Sequence, residues 1–293
     1  MISSYKLRIG DYDCWTVADG ELTYPGSALL PPESEVPEEV AVPYTALLID
    51  TGSARILIDT GAGALGPHTG KLPRNLTALG FAPEAIDFVV LSHAHPDHIA
   101  GVARFPNARV VLMRNEFEFW TAAETQSKLA AGELYGLGAM EQLMAAYVNE
   151  HLPSRPNLCL LDAAAEIQSG VLVFPASGHT PGHAAVLISS GREQLLYLGD
   201  AVIHPAQFEH PDWTSAFDLL RDQTVNTRKQ LLDRAASDRC LIAGFHLPGA
   251  VGAVESWRGR FRWEPGKISD IDRLTLTSES FALRPNPAQI ESK

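Results

Sequence analysis

An α/β layered fold is predicted by three features of the sequence: short apolar runs with turn residues at their ends, amphipathic stretches of helical period between them, and polar, histidine-bearing turns directly after several runs. Strands covered on both faces lose the alternation of apolar and polar residues and read as unbroken runs. Residues 46–50 (ALLID) and 55–59 (RILID) flank a Thr51-Gly52-Ser53 turn and predict a hairpin. Residues 88–91 (FVVL), 108–112 (ARVVL), 171–174 (VLVF), 185–188 (AVLI), 195–198 (LLYL) and 240–243 (CLIA) repeat the pattern. Residues 129–150 set Leu134, Leu137, Met140, Leu143, Met144 and Tyr147 at helical spacing, which predicts one amphipathic helix. Residues 217–236 do the same through Leu219, Leu220, Val225, Leu231 and Leu232. The acidic, proline-rich residues 31–43 predict an ordered loop or surface lid. From residue 275 the pattern weakens, so residues 1–274 are expected to form one domain, with a helical insertion at about 113–152, and 275–293 a tail.

Composition narrows the class. With 45% apolar and 20% charged residues, the 293-residue chain has the make-up of a globular protein rather than a disordered one. Its net charge of −12 has the wrong sign for a phosphate backbone, so nucleic acid is not an expected partner. No run approaches the roughly 20 apolar residues that cross a bilayer. Residues 1–13 carry Lys6, Arg8, Asp11 and Asp13 instead of the apolar stretch of a secretory leader, and a cytoplasmic location without a membrane partner is expected. Cys14, Cys159 and Cys240 are too scattered, and odd in number, for a disulfide framework or a four-sulfur metal site; reduced thiols are expected.

The chemistry concentrates at strand ends. After FVVL comes Ser92-His93-Ala94-His95-Pro96-Asp97-His98, which gathers three of the ten histidines and a carboxylate within six residues. Imidazole and carboxylate are the ligands preferred by zinc and similar divalent ions, and a turn leaving a buried strand can aim alternate side chains at different points of a cleft. Gly178-His179-Thr180-Pro181-Gly182-His183 follows VLVF, Gly199-Asp200 follows LLYL, and Gly244-Phe245-His246 follows CLIA. Alone, His246 reads as a core or surface histidine and Asp200 as a turn cap. Together, at the ends of several strands, they fall along one sheet edge, where binding crevices form.

In this order HAHPDH, GHTPGH, GD and FH resemble the metallo-β-lactamase superfamily, from about residue 46 to residue 246. The resemblance implies a four-layer αββα sandwich, two sheets packed face to face between outer helices, with a metal site at one edge. It also implies two divalent ions, zinc by preference, with iron, manganese or cobalt admitted. His93, His95 and His179 would hold the first, Asp97, His98 and His246 the second, and Asp200 would bridge them. Asp59 and His183 are expected to support these ligands through hydrogen bonds. Two metals about 3.5–4 Å apart can lower the pKa of a shared water to about 7. The implied chemistry is attack of a metal-bridging hydroxide on a carbonyl or phosphoryl centre. Asp97 and Asp200 are its catalytic carboxylates, Asp97 orienting the nucleophile or taking its proton.

Residues 199–207 (GDAVIHPAQ), Pro211-Asp212-Trp213, Phe217-Asp218 and the closing Gly244-Phe245-His246-Leu247-Pro248 are similar to the methyl parathion hydrolase-like branch, which holds organophosphate hydrolases and lactonases. Many acyl-homoserine-lactone lactonases carry a tyrosine three positions after the bridging aspartate, where this chain has Ile203; the resemblance therefore implies the metal chemistry without implying quorum-signal specificity. The expected substrate is a small-molecule lactone or carboxylic ester, ahead of an organophosphate. Thioester cleavage of the glyoxalase II kind, β-lactam cleavage, an iron-dependent oxidoreductase and a metal-bearing scaffold stay open. Phe117, Trp120, Trp213 and Phe217 are candidate substrate contacts, although aromatics at helical spacing more often fill cores. Residues 257–265 (WRGRFRWEP) predict an edge strand that is structural or a homodimer contact.

Overall fold

The apolar runs become the middle strands of two sheets. A computed structural model describes residues 4–34, 36–153, 155–266 and 272–274. The chain begins β1 (Ser4–Ile9), β2 (Tyr12–Pro25), α1 (Gly26–Leu29), β3 (Glu39–Asp50), β4 (Arg55–Ile58), α2 (Leu72–Ala78), β5 (Phe88–Val90), α3 (Pro96–Ile99) and β6 (Arg109–Met113). Three helices follow, α4 (Arg114–Thr121), α5 (Ala123–Ala131) and α6 (Ala139–His151), then β7 (Leu158–Leu161), β8 (Ala165–Gln168), β9 (Val171–Pro175), β10 (Ala184–Ser190) and β11 (Glu193–Tyr197). The remainder is α7 (Ala206–Glu209), α8 (Arg221–Asp238), β12 (Leu241–Ala243), β13 (Val251–Trp257), β14 (Arg260–Pro265) and β15 (Asp272–Leu274). Among the described residues one sheet has the order β15-β1-β2-β3-β4-β5-β6-β7 and the other β14-β13-β12-β11-β10-β9-β8.

Burial explains why these strands read as unbroken apolar runs. In β10, Val186 and Ile188 join the core shared with Leu47, Val90 and Val111 of the other sheet, whereas Ala185 and Leu187 face a second core under α8 with Leu231, Leu232 and Ala235. Successive side chains point to opposite faces and both faces are covered, so neither face selects polar residues. The two mixed sheets with helices against them form the expected αββα sandwich.

Several local expectations change. The single helix over 129–150 is two: α5 stops at Gly132, whose φ of 72° is the left-handed conformation of a helix end, and α6 starts after Gly138. Buried Glu141 accepts the Leu134 and Leu137 amides, so these two leucines cap a turn instead of extending a helical face. α8 begins at Arg221, after a turn carrying Phe217 and Asp218. Residues 31–43 are only partly a loop: Pro32–Ser34 form a 3-10 turn and β3 starts at Glu39, pairing with Pro25 of β2. Among the described residues β14 lies at the sheet edge, as expected, but the strand predicted over 257–265 is divided: Trp257 ends β13, and a turn at Arg258-Gly259 leads into β14 as a hairpin. All three cysteines are free, Cys14 and Cys240 buried and Cys159 half-buried. No helix among the described residues is long and apolar enough to cross a membrane. The tail expected over 275–293 lies outside the described residues.

Candidate metal centre

Parallel pairing brings the polar turns together. β4 and β5 run parallel with Ile58 beside Val90, so the chain leaves both at one end, with Asp59 after the first and His93, His95, Asp97 and His98 after the second. β11 and β12 are parallel with Tyr197 beside Ala243, which sets the turns carrying Asp200 and His246 side by side. His179 and His183 come from the connection between β9 and β10.

All seven residues expected as ligands converge. His93, His95, His179 and Asp200 form one cluster and Asp97, His98 and His246 a second; within each, the donor atoms lie within 4.8 Å of one another. Asp200 joins the two. Its Oδ2 is 3.3 Å from His179 Nε2 and 3.2 Å from His246 Nε2, and its Oδ1 is 3.4 Å from His98 Nε2. Asp97 Oδ2 lies 3.4 Å from His246 Nε2.

Each of these five imidazoles is held from behind by one nitrogen and offers the other to the cluster. His98 Nδ1 donates to Asp59 Oδ2 at 2.8 Å, His179 Nδ1 to Asp218 Oδ1 at 2.9 Å and His246 Nδ1 to the Pro43 carbonyl at 3.1 Å. His93 Nδ1 is 3.1 Å from Ser92 Oγ, and His95 Nε2 is 2.7 Å from the Tyr135 hydroxyl. His183 has both nitrogens engaged, accepting the Asp200 amide at Nε2 (2.9 Å) and donating from Nδ1 to the Ala176 carbonyl (3.0 Å). It therefore holds the backbone of Asp200. Asp59 adopts φ 62°, unusual outside glycine, and also accepts the Ser92 amide and the Ser92 and Tyr197 hydroxyls.

The electrostatics suit a cation. Burial, reinforced by neighbouring imidazoles, holds His93 and His95 well below the usual imidazole range, leaving neutral lone pairs. Burial also works against charge on His98 and His246, but Asp200, with Asp97 and, for His98, Asp59, outweighs it and raises both. Burial likewise opposes the Asp200 charge, yet His246, His98 and His93 hold its carboxyl well below the usual range. Metal binding would displace the protons on His98 and His246. Three buried atoms aimed into the cluster, His93 Nε2, His98 Nε2 and Asp200 Oδ1, have no hydrogen-bond partner. Orphaned buried polar atoms are costly, and convergent imidazole and carboxylate donors are what a divalent ion satisfies. The residues present fit the group.

The sequence profile described as the metallo-beta-lactamase superfamily matches residues 40–243. The chain belongs to the metallo-β-lactamase superfamily. This superfamily chain is 29% identical over 189 residues to a probable metallo-hydrolase of Mycobacterium tuberculosis (strain ATCC 25618 / H37Rv), a match covering 56% of the chain and 58% of that protein. The chain thus spans less than two thirds of that relative. It is 25% identical over 198 residues to an N-acyl homoserine lactonase of Bacillus cereus, covering 60% of the chain and 71% of that protein. Among solved structures, AidC, described as a dizinc quorum-quenching lactonase in complex with a hexanoyl-homoserine product, matches with a TM-score of 0.80 at 27% identity, over 92% of this chain and 99% of its own. AbOPH, described as a hydrolase in the β-lactamase superfamily, matches at 0.82 and 26% identity over the same shares. The metallo-β-lactamase fold and the lactonase-like resemblance expected from the motifs are borne out.

Beside the metallo-β-lactamase centre lies a cavity of about 270 Å³ whose polar wall includes His95, Asp97, His179, Asp200 and His246. Of the four aromatic residues expected as substrate contacts only Phe217 lines it. Trp120 is fully buried behind His95, ring centroids 5.4 Å apart, and donates to Glu116. Trp213 stacks on His210, and Phe117 packs on the core. The wall is instead mainly aliphatic, because β2, α1, β3 and α6 supply Leu22, Leu29, Val42, Met140, Leu143 and Met144.

Sequence reasoning passed over two carboxylates that touch this centre, Glu116 and Asp218. Burial opposes the charge on Asp218, yet the hydrogen bond and charge of His179, with Arg228, hold its carboxyl below the usual range. Asp218→Asn is expected to weaken metal binding about 10–100-fold, the usual loss when the partner of a ligating histidine is removed, measured by titration against a chromophoric chelator. Unchanged affinity would show that His179 needs no such partner.

Proposed function

We propose that the chain is a metal-dependent hydrolase that opens a small lactone or cleaves a carboxylic ester at a dinuclear centre, zinc favoured, held by His93, His95, His179, Asp97, His98, His246 and the shared Asp200. The observation that carries this reading is the two donor clusters joined by Asp200 in the wall of a mainly aliphatic cavity. Ions bound by these residues would supply an ionised water at neutral pH and polarise the substrate carbonyl. The similarity to a dizinc lactonase and to an N-acyl homoserine lactonase supports a lactone as substrate.

The chain's own residues divide the remaining work. Val42, Met144 and Phe217 hold an apolar acyl group and exclude water from it. Met140 and Leu143, 40% and 41% exposed, leave apolar surface that a longer acyl chain would cover. Asp97, in the cavity wall, takes at a carboxylate oxygen the proton released when the water ionises and returns it to the leaving alkoxide.

The test is kinetics on metal-loaded protein with metal content determined in parallel. A panel comprises N-hexanoyl homoserine lactone, an aryl butyrate, an aryl dialkyl phosphate, S-lactoylglutathione and a cephalosporin. The lactone or the aryl ester is expected to give the highest kcat/KM by at least about tenfold, a difference of roughly 1.4 kcal/mol in transition-state stabilisation. A protein carrying two ions per chain that turns over neither would overturn the reading.

A further inference from the structure

We propose that Tyr24 is a catalytic residue that donates a hydrogen bond to the oxyanion formed on the substrate carbonyl; this rests on reading the chain as an ester hydrolase. Apart from the ligand set, the polar side chains in the cavity wall are Thr23 and Tyr24 on β2. Thr23 is exposed, while Tyr24 is half-buried and shares the wall with Asp97, Asp200 and His246. Its ring is fixed edge-on against Phe217 with centroids 5.7 Å apart.

The Tyr24 hydroxyl lies 2.5 Å from the hydroxyl of Tyr44 on β3. Tyr44 is fully buried, stacked on Phe245 and edge-on to His246. Among the described residues neither hydroxyl has another hydrogen-bond partner given by the structure. One of the two must donate. If Tyr24 donated, the Tyr44 proton would be buried without an acceptor, which is strongly unfavourable. If Tyr44 donates, its proton is satisfied and the Tyr24 proton is free to turn into the cavity. Accepting a hydrogen bond also polarises the Tyr24 O–H and makes it the stronger donor. Burial pushes the Tyr24 phenol up, so it stays protonated and serves as a donor, not a base.

In the step itself, hydroxide adds to the acyl carbon, the carbonyl π pair moves onto oxygen, and the Tyr24 O–H donates to that oxygen without giving up its proton. Collapse re-forms the carbonyl and breaks the ring C–O bond. The alkoxide takes from Asp97 the proton that the water lost on becoming hydroxide, so lactone and water give the hydroxy acid. A donor placed for the oxyanion adds most when charge has developed, which predicts an effect on kcat in preference to KM.

Tyr24→Phe keeps the ring contact and removes only the donor. In metal-loaded protein kcat is expected to fall about 10²-fold, with KM changed less than about threefold and metal content unchanged. Hexylphosphonate, a stable tetrahedral anion, is expected to bind Tyr24→Phe about 10–100-fold more weakly than wild type by calorimetry. Tyr44→Phe keeps the donor but not its polarisation and is expected to cost about tenfold or less in kcat. If wild type cleaves no ester yet binds the phosphonate more tightly than Tyr24→Phe, the hydrolase reading falls and the donor assignment stands. If wild type is an ester hydrolase but phosphonate affinity is the same in both proteins, Tyr24 is not the donor, whatever happens to kcat. A larger loss from Tyr44→Phe than from Tyr24→Phe also overturns the assignment.

Discussion

Asp200→Asn is expected to yield a folded protein that has lost one metal ion per chain and about 10³-fold in kcat, the scale seen when electrostatic stabilisation at a reacting centre is removed. The geometry makes this the most damaging conservative change at the site. Both carboxylate oxygens are used: Oδ2 faces His179 and His246, and Oδ1 faces His98. An amide presents one oxygen and, in place of the other, an NH2 group that donates and cannot ligate. It also removes the negative charge that offsets bringing two cations close together. The fold is expected to survive because the Asp200 amide is held by His183 Nε2 and the following backbone by Arg228, which donates to the Ala201 carbonyl at 2.6 Å. Elemental analysis, a thermal melt and steady-state kinetics on one preparation read the three consequences separately. Two ions at wild-type affinity with full activity would show that Asp200 does not bridge.

The convergence of these seven donors was legible because each sits in a short motif directly after a strand that is apolar on both faces, and parallel pairing converts such sequence positions into neighbours. Asp59 beside the 92–98 turn and Asp200 beside His246 follow from Ile58 pairing with Val90 and Tyr197 with Ala243. What the sequence hid depends on contacts between distant segments. β2 carries Asp13, Thr16, Asp19 and Glu21, so it shows no apolar run, yet it pairs along β3 with a bulge between Ala18 and Gly20. The bulge is where Asp19 accepts the amides of Ala62, Gly70 and Leu72. The aromatic residues misled for a related reason: Trp120 faces inward on its helix, so its size fills the core behind His95 and leaves the cavity wall to aliphatic residues of β2, α1, β3 and α6.

Glu116 is the sharpest case of a residue whose importance is invisible locally, and Glu116→Ala is expected to destabilise the fold by about 3–5 kcal/mol. On a short helix in the stretch RNEFEFW it reads as a solvated charge, but it is fully buried. Its Oε1 accepts the Ala94 amide at 2.9 Å and the Trp120 indole at 2.6 Å; its Oε2 accepts the Thr180 hydroxyl and the Gly182 amide, both at 2.8 Å. One carboxylate thus ties the turn carrying His93, His95 and His98 to the turn carrying His179. Gly182 fits this approach closely, since a Cβ there would sit 2.2 Å from the Glu116 nitrogen. Burial pushes the carboxyl above its usual range, with the four donors pulling the other way. Removing it orphans four buried donors at about 1–3 kcal/mol each, a sum reduced by relaxation and by water entering the space. At roughly 2–4 °C per kcal/mol for a chain of this size, the melting midpoint falls by about 6–20 °C. Because the ligand turns lose their common anchor, metal affinity is expected to drop about 10–100-fold. At saturating metal kcat is expected to recover to within about tenfold, since Glu116 touches ligand turns and no reacting atom; recovery of this kind distinguishes it from Asp200. A melting midpoint and chelator-competition curve matching wild type would mean that the two turns are held in register by something other than this carboxylate.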